Sequence, residues 1–189
     1  MEVLIVGGGP SVTRGQLDSV ARWRDTDDSR RVMVVNKGVE HLPWADYLFS
    51  RDTRFLKTYE EMVTCFEGQL VVGNSTYTPP GCRLVTVVAY ISGAAAIEAA
   101  QSLGATTIYL IGADGHHRGG AHWFENYERL ANAPNYPKFN EYYEDAMRQV
   151  SVPVWNLSPG TAITAVPTMD INEVLDVGQE EEAGSSGTS

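Results

Sequence analysis

His122 stands beside Trp123 and Phe124, where an imidazole could take a proton at neutral pH. The same histidine could equally be held by packing or hydrogen bonds in an aromatic loop. His116 and His117 are adjacent, so their rings diverge, and no third metal ligand is spaced to join them. They read as a surface pair. Gly7-Gly8-Gly9-Pro10-Ser11 follows an apolar run and permits close backbone approach to a ligand at a helix start, a place that favours anions. It is neither GxGxxG nor a Walker A sequence, which disfavours a nicotinamide dehydrogenase or a P-loop NTPase. Its plain alternative is a tight strand–helix turn.

Asn36, Asp52, Asp114, Asn156 and Ser158 all stand at or just beyond the ends of apolar runs. Asp114 could accept from a ribose hydroxyl or ligate Mg²⁺, or be a turn aspartate. Ser92-Gly93 precedes an Ala-rich stretch, where Ser is expected to cap a helix and its N–H groups could also meet a phosphate or carboxylate. Gly-x-Ser-x-Gly is absent, so no hydrolase triad is indicated.

The elements that must position these residues alternate along the chain. Strands are expected at 3–6, 32–35, 47–50, 70–72, 84–88, 107–111 and 152–155. Helices are expected at 14–23, 93–103, 138–150 and, briefly, 170–177. This rhythm predicts an α/β fold: a single Rossmann-like domain over 1–177, with a mostly parallel sheet flanked by helices. In such a sheet, ligands bind beyond the carboxyl ends of the strands, so the glycine turn and the separated polar residues are expected to converge there. Residues 115–136 break the rhythm and are rich in aromatics and histidine, which predicts an ordered lid. Residues 178–189, acidic and then Gly/Ser-rich, predict a disordered tail.

Composition bounds the partners. In 189 residues, 14 Lys and Arg face 24 Asp and Glu, a formal charge of −10. Such a chain has no general attraction for a nucleic-acid backbone, although a localised site for a small anion is still allowed. The 43% of hydrophobic residues suffices for a real core. Cys65 and Cys82 lack metal spacing and are expected to be reduced thiols. The first apolar run is too short for a signal peptide, and no stretch is long enough to span a membrane. A soluble, cytoplasmic protein is expected; whether it forms a homo-oligomer is left open.

The order of these motifs resembles the bacterial lipooligosaccharide sialyltransferases. The resemblance lies in Gly8-Gly9-Pro10-Ser11, Asn36, Ser92-Gly93, the 107–114 run ending Gly112-Ala113-Asp114, the His- and Tyr-bearing lid, and Trp155-Asn156-Leu157-Ser158-Pro159. It also resembles the related Rossmann-like family named for 6-hydroxymethylpterin diphosphokinase. Short bacteriophage-encoded members look most similar, through Pro43-Trp44-Ala45-Asp46, Asp52, His122-Trp123 and Thr161-Ala162. The resemblance covers most of residues 3 to 176.

By position, it implies a nucleotide or nucleotide-sugar ligand held by Gly8, Gly9, Ser11, Asn36, Ser92, Gly93 and Asp114. His122 would be the base that deprotonates an acceptor hydroxyl, and the compartment would be the host cytoplasm. Gly8 stands where the sialyltransferases have Asn, and Asp52 where a second Asn is expected. The implied function is thus a sialyltransferase-like glycosyltransferase with a nucleotide-bearing donor, working without a metal. The diphosphokinase alternative uses Mg²⁺, for which Asp52 and Asp114 are the expected ligands. The remaining alternative is a non-catalytic protein that sequesters a nucleotide.

Overall fold

The computed structural model describes residues 1–116, 123 and 138–175. Seven strands form one sheet: β1 (Glu2–Val6), β2 (Arg30–Val35), β3 (Tyr47–Ser50), β4 (Gln69–Gly73), β5 (Arg83–Val85), β6 (Thr107–Ile111) and β7 (Val154–Asn156). Their spatial order is β5-β4-β3-β2-β1-β6-β7, and every pairing is parallel. Parallel strands covered on both faces need apolar side chains in both directions, and β1 shows this. Val3 and Ile5 enter one core, Leu4 and Val6 the other, and none is more than 2% exposed.

Helices α1 (Arg14–Asp25), α2 (Thr53–Thr58) and α3 (Glu60–Thr64) cover one face, through Leu17, Val20, Trp23, Phe55, Leu56 and Val63. Helices α4 (Ser92–Ser102) and α5 (Phe139–Gln149) cover the other. The chain steps outward from β1 to β5 with its helices on the first face. It then returns by α4 across β4, β3, β2 and β1 to reach β6. This is a Rossmann-like, doubly wound α/β domain, as the alternation predicts.

Helix α4 is buried on most sides because it lies between the sheet and α5, and Glu98 is its one buried charge. Ala94, Ala95, Ala96, Ala99 and Ala100 are all fully buried, so the layer is thin. Helix α1 opens with a reciprocal cap: the Thr13 hydroxyl accepts from the Gln16 N–H, and the Gln16 side-chain oxygen Oε1 accepts from the Thr13 N–H at 2.8 Å.

Several expected boundaries move for visible reasons. Ser92 is the first residue of α4 and not its cap; Ile91 holds the cap position and offers no side-chain oxygen. The fifth strand stops at Val85 because the next segment is claimed by Glu98, whose carboxylate accepts the N–H groups of Val88 and Ala89 at 2.6 and 2.7 Å. Asn36 ends β2 at φ 51° and starts a 3₁₀ helix, Asn36–Glu40. The short helices α2 and α3 have no counterpart among the predicted elements. The terminal helix expected at 170–177 is a single 3₁₀ turn, Ile171–Glu173, capped by Asp170. The tail lies outside the described residues, as does the lid except for Gly115, His116 and Trp123.

Candidate functional site at the sheet reversal

Strand order reverses at the neighbours β1 and β6, so the connections beyond their carboxyl ends lead to opposite faces of the sheet. The two loops interlock through their backbones. The Gly7 N–H donates to the Ile111 carbonyl at 2.8 Å and the Gly9 N–H to the Gly112 carbonyl at 2.9 Å. A Cβ on Gly9 would lie 1.9 Å from Asp114 Oδ2, and one on Gly7 2.7 Å from the Gly112 oxygen. Gly112, at φ 70°, meets the Gly7 carbonyl at 2.8 Å in the same sense. The glycines are therefore required by loop-to-loop contact.

Three N–H groups of the expected phosphate cradle are used within the chain. Gly7 and Gly9 use their N–H groups on β6 and its loop, Pro10 has none, and the Ser11 N–H donates to Asp114 Oδ2 at 3.1 Å. The anion seated on this loop is the chain's own Asp114 carboxylate.

Asp114 itself is 2% exposed, and its other oxygen, Oδ1, is buried without a hydrogen-bond partner among the described residues. Asn36 Oδ1 is in the same condition. These atoms belong to the loops after β6 and β2, on the two sides of β1, and strand spacing puts those loops about 10 Å apart. An unsatisfied buried acceptor costs about 1–3 kcal/mol, so both positions call for a donor. Trp123 sits on the loop between them: its indole N–H donates to the Gly7 carbonyl at 2.8 Å and its backbone N–H to Gly8 at 3.3 Å. Its ring leans on His41, with centroids 4.9 Å apart.

The remaining expected residues divide. Asn156 and Ser158 reach the same edge of the sheet, but their polar atoms are engaged in the chain. Asn156 Nδ2 donates to the Ala113 carbonyl at 3.0 Å and to Thr161 at 3.1 Å, and its Oδ1 accepts from the Ser158 N–H at 3.0 Å. The Ser158 hydroxyl accepts from the Ala113 N–H at 2.9 Å. They hold the Asp114 loop in place. His116 lies 3.2 Å from the Gly160 carbonyl. His122, expected as the base, lies outside the described residues, as does His117.

Asp52 caps α2, one oxygen accepting from the N–H groups of Arg54 and Phe55. Strands β3 and β6 are three places apart, so the Asp52 and Asp114 loops are separated by about 14 Å. One Mg²⁺ cannot take both carboxylates, which reach it at about 2.1 Å. Among the described residues, no group of three His, Cys, Asp or Glu side chains converges on a common point. The expected Asp52–Asp114 metal pair does not fit.

Ser92 and Gly93 open α4, and a Cβ on Gly93 would stand 3.0 Å from the Tyr143 hydroxyl. Tyr143 is 5% exposed, and burial, aided by the nearby Asp114 charge, pushes its phenol far above the ordinary range. The sequence predicts only the helix over 138–150, since the contact of Tyr143 is visible only across the fold. Arg51, at the end of β3, was also missed: it donates to the Ala89 carbonyl and lies 5.4 Å from the centre of the Tyr90 ring.

No family model and no curated protein matches this chain. Among solved structures, it is similar to dTDP-glucose 4,6-dehydratase from Bacillus anthracis in complex with NAD. Identity is 11%, and the alignment covers 82% of this chain and 53% of that one, with a TM-score of 0.29. The chain thus spans about half the length of that structure, and the fold rests on its own strand order. Among the described residues, no helix is long and apolar enough to cross a membrane.

Proposed function

We propose that this chain is a nucleotide-dependent transferase that moves a sugar from a nucleotide-sugar donor to a hydroxyl acceptor. The observation that carries the reading is the pair of buried acceptors without a partner among the described residues, Asn36 Oδ1 and Asp114 Oδ1, on either side of the loop at the sheet reversal. Sugar hydroxyls and base amino groups are donors and would satisfy both. The separation of the two acceptors asks for a ligand of nucleoside size in place of a single ion. Trp123, hydrogen-bonded to the Gly7 carbonyl, stands on the loop between them.

In the transfer, the acceptor oxygen attacks the anomeric carbon as its proton passes to a base. The bond from that carbon to the nucleotide phosphate breaks, and the departing nucleotide keeps the electron pair. The resemblance assigns the base to His122. Fixed acceptors serve such a step by holding donor and acceptor in line.

The test is a thermal-shift panel of nucleotides and nucleotide sugars, with and without Mg²⁺, followed by an assay for nucleotide release. A ligand at a hundred times its dissociation constant should stabilise the fold by about 2.7 kcal/mol. A metal-independent shift with a cytidine or uridine sugar is expected, with turnover that His122→Ala abolishes while donor affinity holds. A shift that needs ATP and Mg²⁺ together would replace this reading with the diphosphokinase. Tight binding without turnover would leave a sequestering protein, and no shift with any nucleotide would end the nucleotide reading.

A further inference from the structure

Among the described residues, Tyr90 is the most exposed large apolar side chain, at 70%, and it stands two residues before α4 at the carboxyl edge of the sheet. Single exposed rings are ordinary on a surface, but this one is held still. Its segment is pinned from two sides. The buried Glu98 carboxylate accepts the N–H groups of Val88 and Ala89, and Arg51 donates to the Ala89 carbonyl. The Tyr90 ring leans on that of Tyr142, with centroids 5.5 Å apart and planes inclined by 37°. Rings fixed before a ligand arrives lose little freedom in binding it.

Arg51 supplies the second observation. Arg14, Arg24, Arg30, Arg31 and Arg148 each face a carboxylate, as expected in a chain of charge −10. Arg51 is partly buried and faces none among the described residues. Its guanidinium carbon lies 5.4 Å from the centre of the Tyr90 ring, and the Ala89 carbonyl is the one hydrogen-bond acceptor it meets among the described residues. Most of its N–H groups are left for an oxyanion. A cation without a counter-ion beside an open ring suits a ligand that is itself a ring and carries an oxyanion.

Strands β2 and β3 are neighbours, so Arg51 leaves the sheet one strand, about 5 Å, from Asn36. The buried acceptors at Asn36 and Asp114 suit the enclosed part of a ligand pair, and the open Tyr90 ring suits the part that arrives from solvent. A transfer also requires a hydroxyl. A pyranose meets both demands, since it carries hydroxyls and presents a face of C–H groups to the electron-rich ring.

We infer that Tyr90, Tyr142 and Arg51 form the acceptor subsite, and that the acceptor is an acidic sugar: a pyranose that stacks on Tyr90 and whose carboxylate or phosphate reaches Arg51. The inference rests on the transferase reading for the role of this sugar as acceptor, but not for its binding.

The test is saturation-transfer NMR on the full chain, which reads weak binding. The probes are glucose, glucuronate and glucose 6-phosphate, and the three corresponding galactose compounds. At least one acidic form should bind about tenfold more tightly than its neutral sugar, the gain from one charge-assisted hydrogen bond, and the two arms tell which oxyanion fits. Added salt should shrink that preference. Arg51→Gln should erase it and leave neutral-sugar affinity unchanged, and Arg51→Lys should retain part of it. Tyr90→Ala, at an exposed position, should weaken acidic and neutral sugars alike.

Equal binding of acidic and neutral sugars, or a preference that survives Arg51→Gln, would overturn the role of Arg51. Sugar binding that survives Tyr90→Ala would overturn the platform, and no saturation transfer to any of these sugars would overturn the whole subsite; each of these leaves the transferase reading intact. Acidic-sugar binding that obeys both substitutions, in a chain that no nucleotide sugar stabilises, would keep the sugar site and overturn the transfer.

Discussion

At the ends of β6 and β7, Asn156, Ser158 and Thr161 satisfy one another and the backbone of Ala113. At the adjoining strand ends, Asn36 and Asp114 carry buried oxygens that no group among the described residues satisfies. Both clusters combine small polar residues with strand ends, and both occupy the edge where this fold binds ligands. The difference lies in the free atoms. A full set of internal bonds makes the β7 cluster a brace for the Asp114 loop, whereas the two open acceptors beside β1 each cost about 1–3 kcal/mol that a donor from outside would recover. Position in the fold selects candidates; unsatisfied atoms separate ligand groups from braces.

Substitution can break this contrast. The largest effect is expected for Asn156→Ala, which deletes two donated bonds and strands the buried Ser158 N–H. It should lower unfolding stability by about 3 kcal/mol in a denaturant titration, with or without ligand. Asp114→Asn keeps an oxygen for the Ser11 N–H and replaces the partnerless one with an amide. It should weaken binding of the nucleotide found in the panel by about 2 kcal/mol, read by calorimetry, while the denaturation midpoint stays close to wild type. A large loss of stability with unchanged affinity would make Asp114 a brace as well.

The smallest effect belongs to Asn36→Gly. At φ 51° glycine loses the strain of a left-handed backbone and the buried oxygen disappears. Stability should hold or rise by about 0.5–1 kcal/mol, and ligand affinity should fall by about 1 kcal/mol. Were affinity also to rise, the acceptor pair would be no part of the site.

All seven strands were legible because runs such as 3–6, 32–35 and 107–111 are apolar on both faces. A helix α4 built of alanine could hardly be read otherwise. Helices α2 and α3 are only six and five residues long, and neither develops a full apolar period, although Phe55, Leu56, Tyr59 and Val63 hint at one. In the site, the alternation of elements was enough to collect Asn36, Asp114, Asn156 and Ser158 at one edge. Which of their atoms are free was not legible, because that depends on partners far away in sequence. Ser11 reaches Asp114 across 103 positions, and Asn156 reaches Ala113 across 43. Likewise, no periodicity could show that Tyr143 ends at Gly93.

The return of the chain across the sheet also orders its assembly in time. Glu2 pairs with Arg30 on one side and with Thr107 on the other, so the inner edge of β1 waits for a closure of about a hundred residues. Closing a loop that long costs roughly 4 kcal/mol of chain entropy beyond a constant. The five strands made first can align without it, but the crevice cannot, because one of its walls is the loop after β6. Ligand binding therefore reports on completed folding: a chain stalled before α4 crosses over would have most of its sheet and no site.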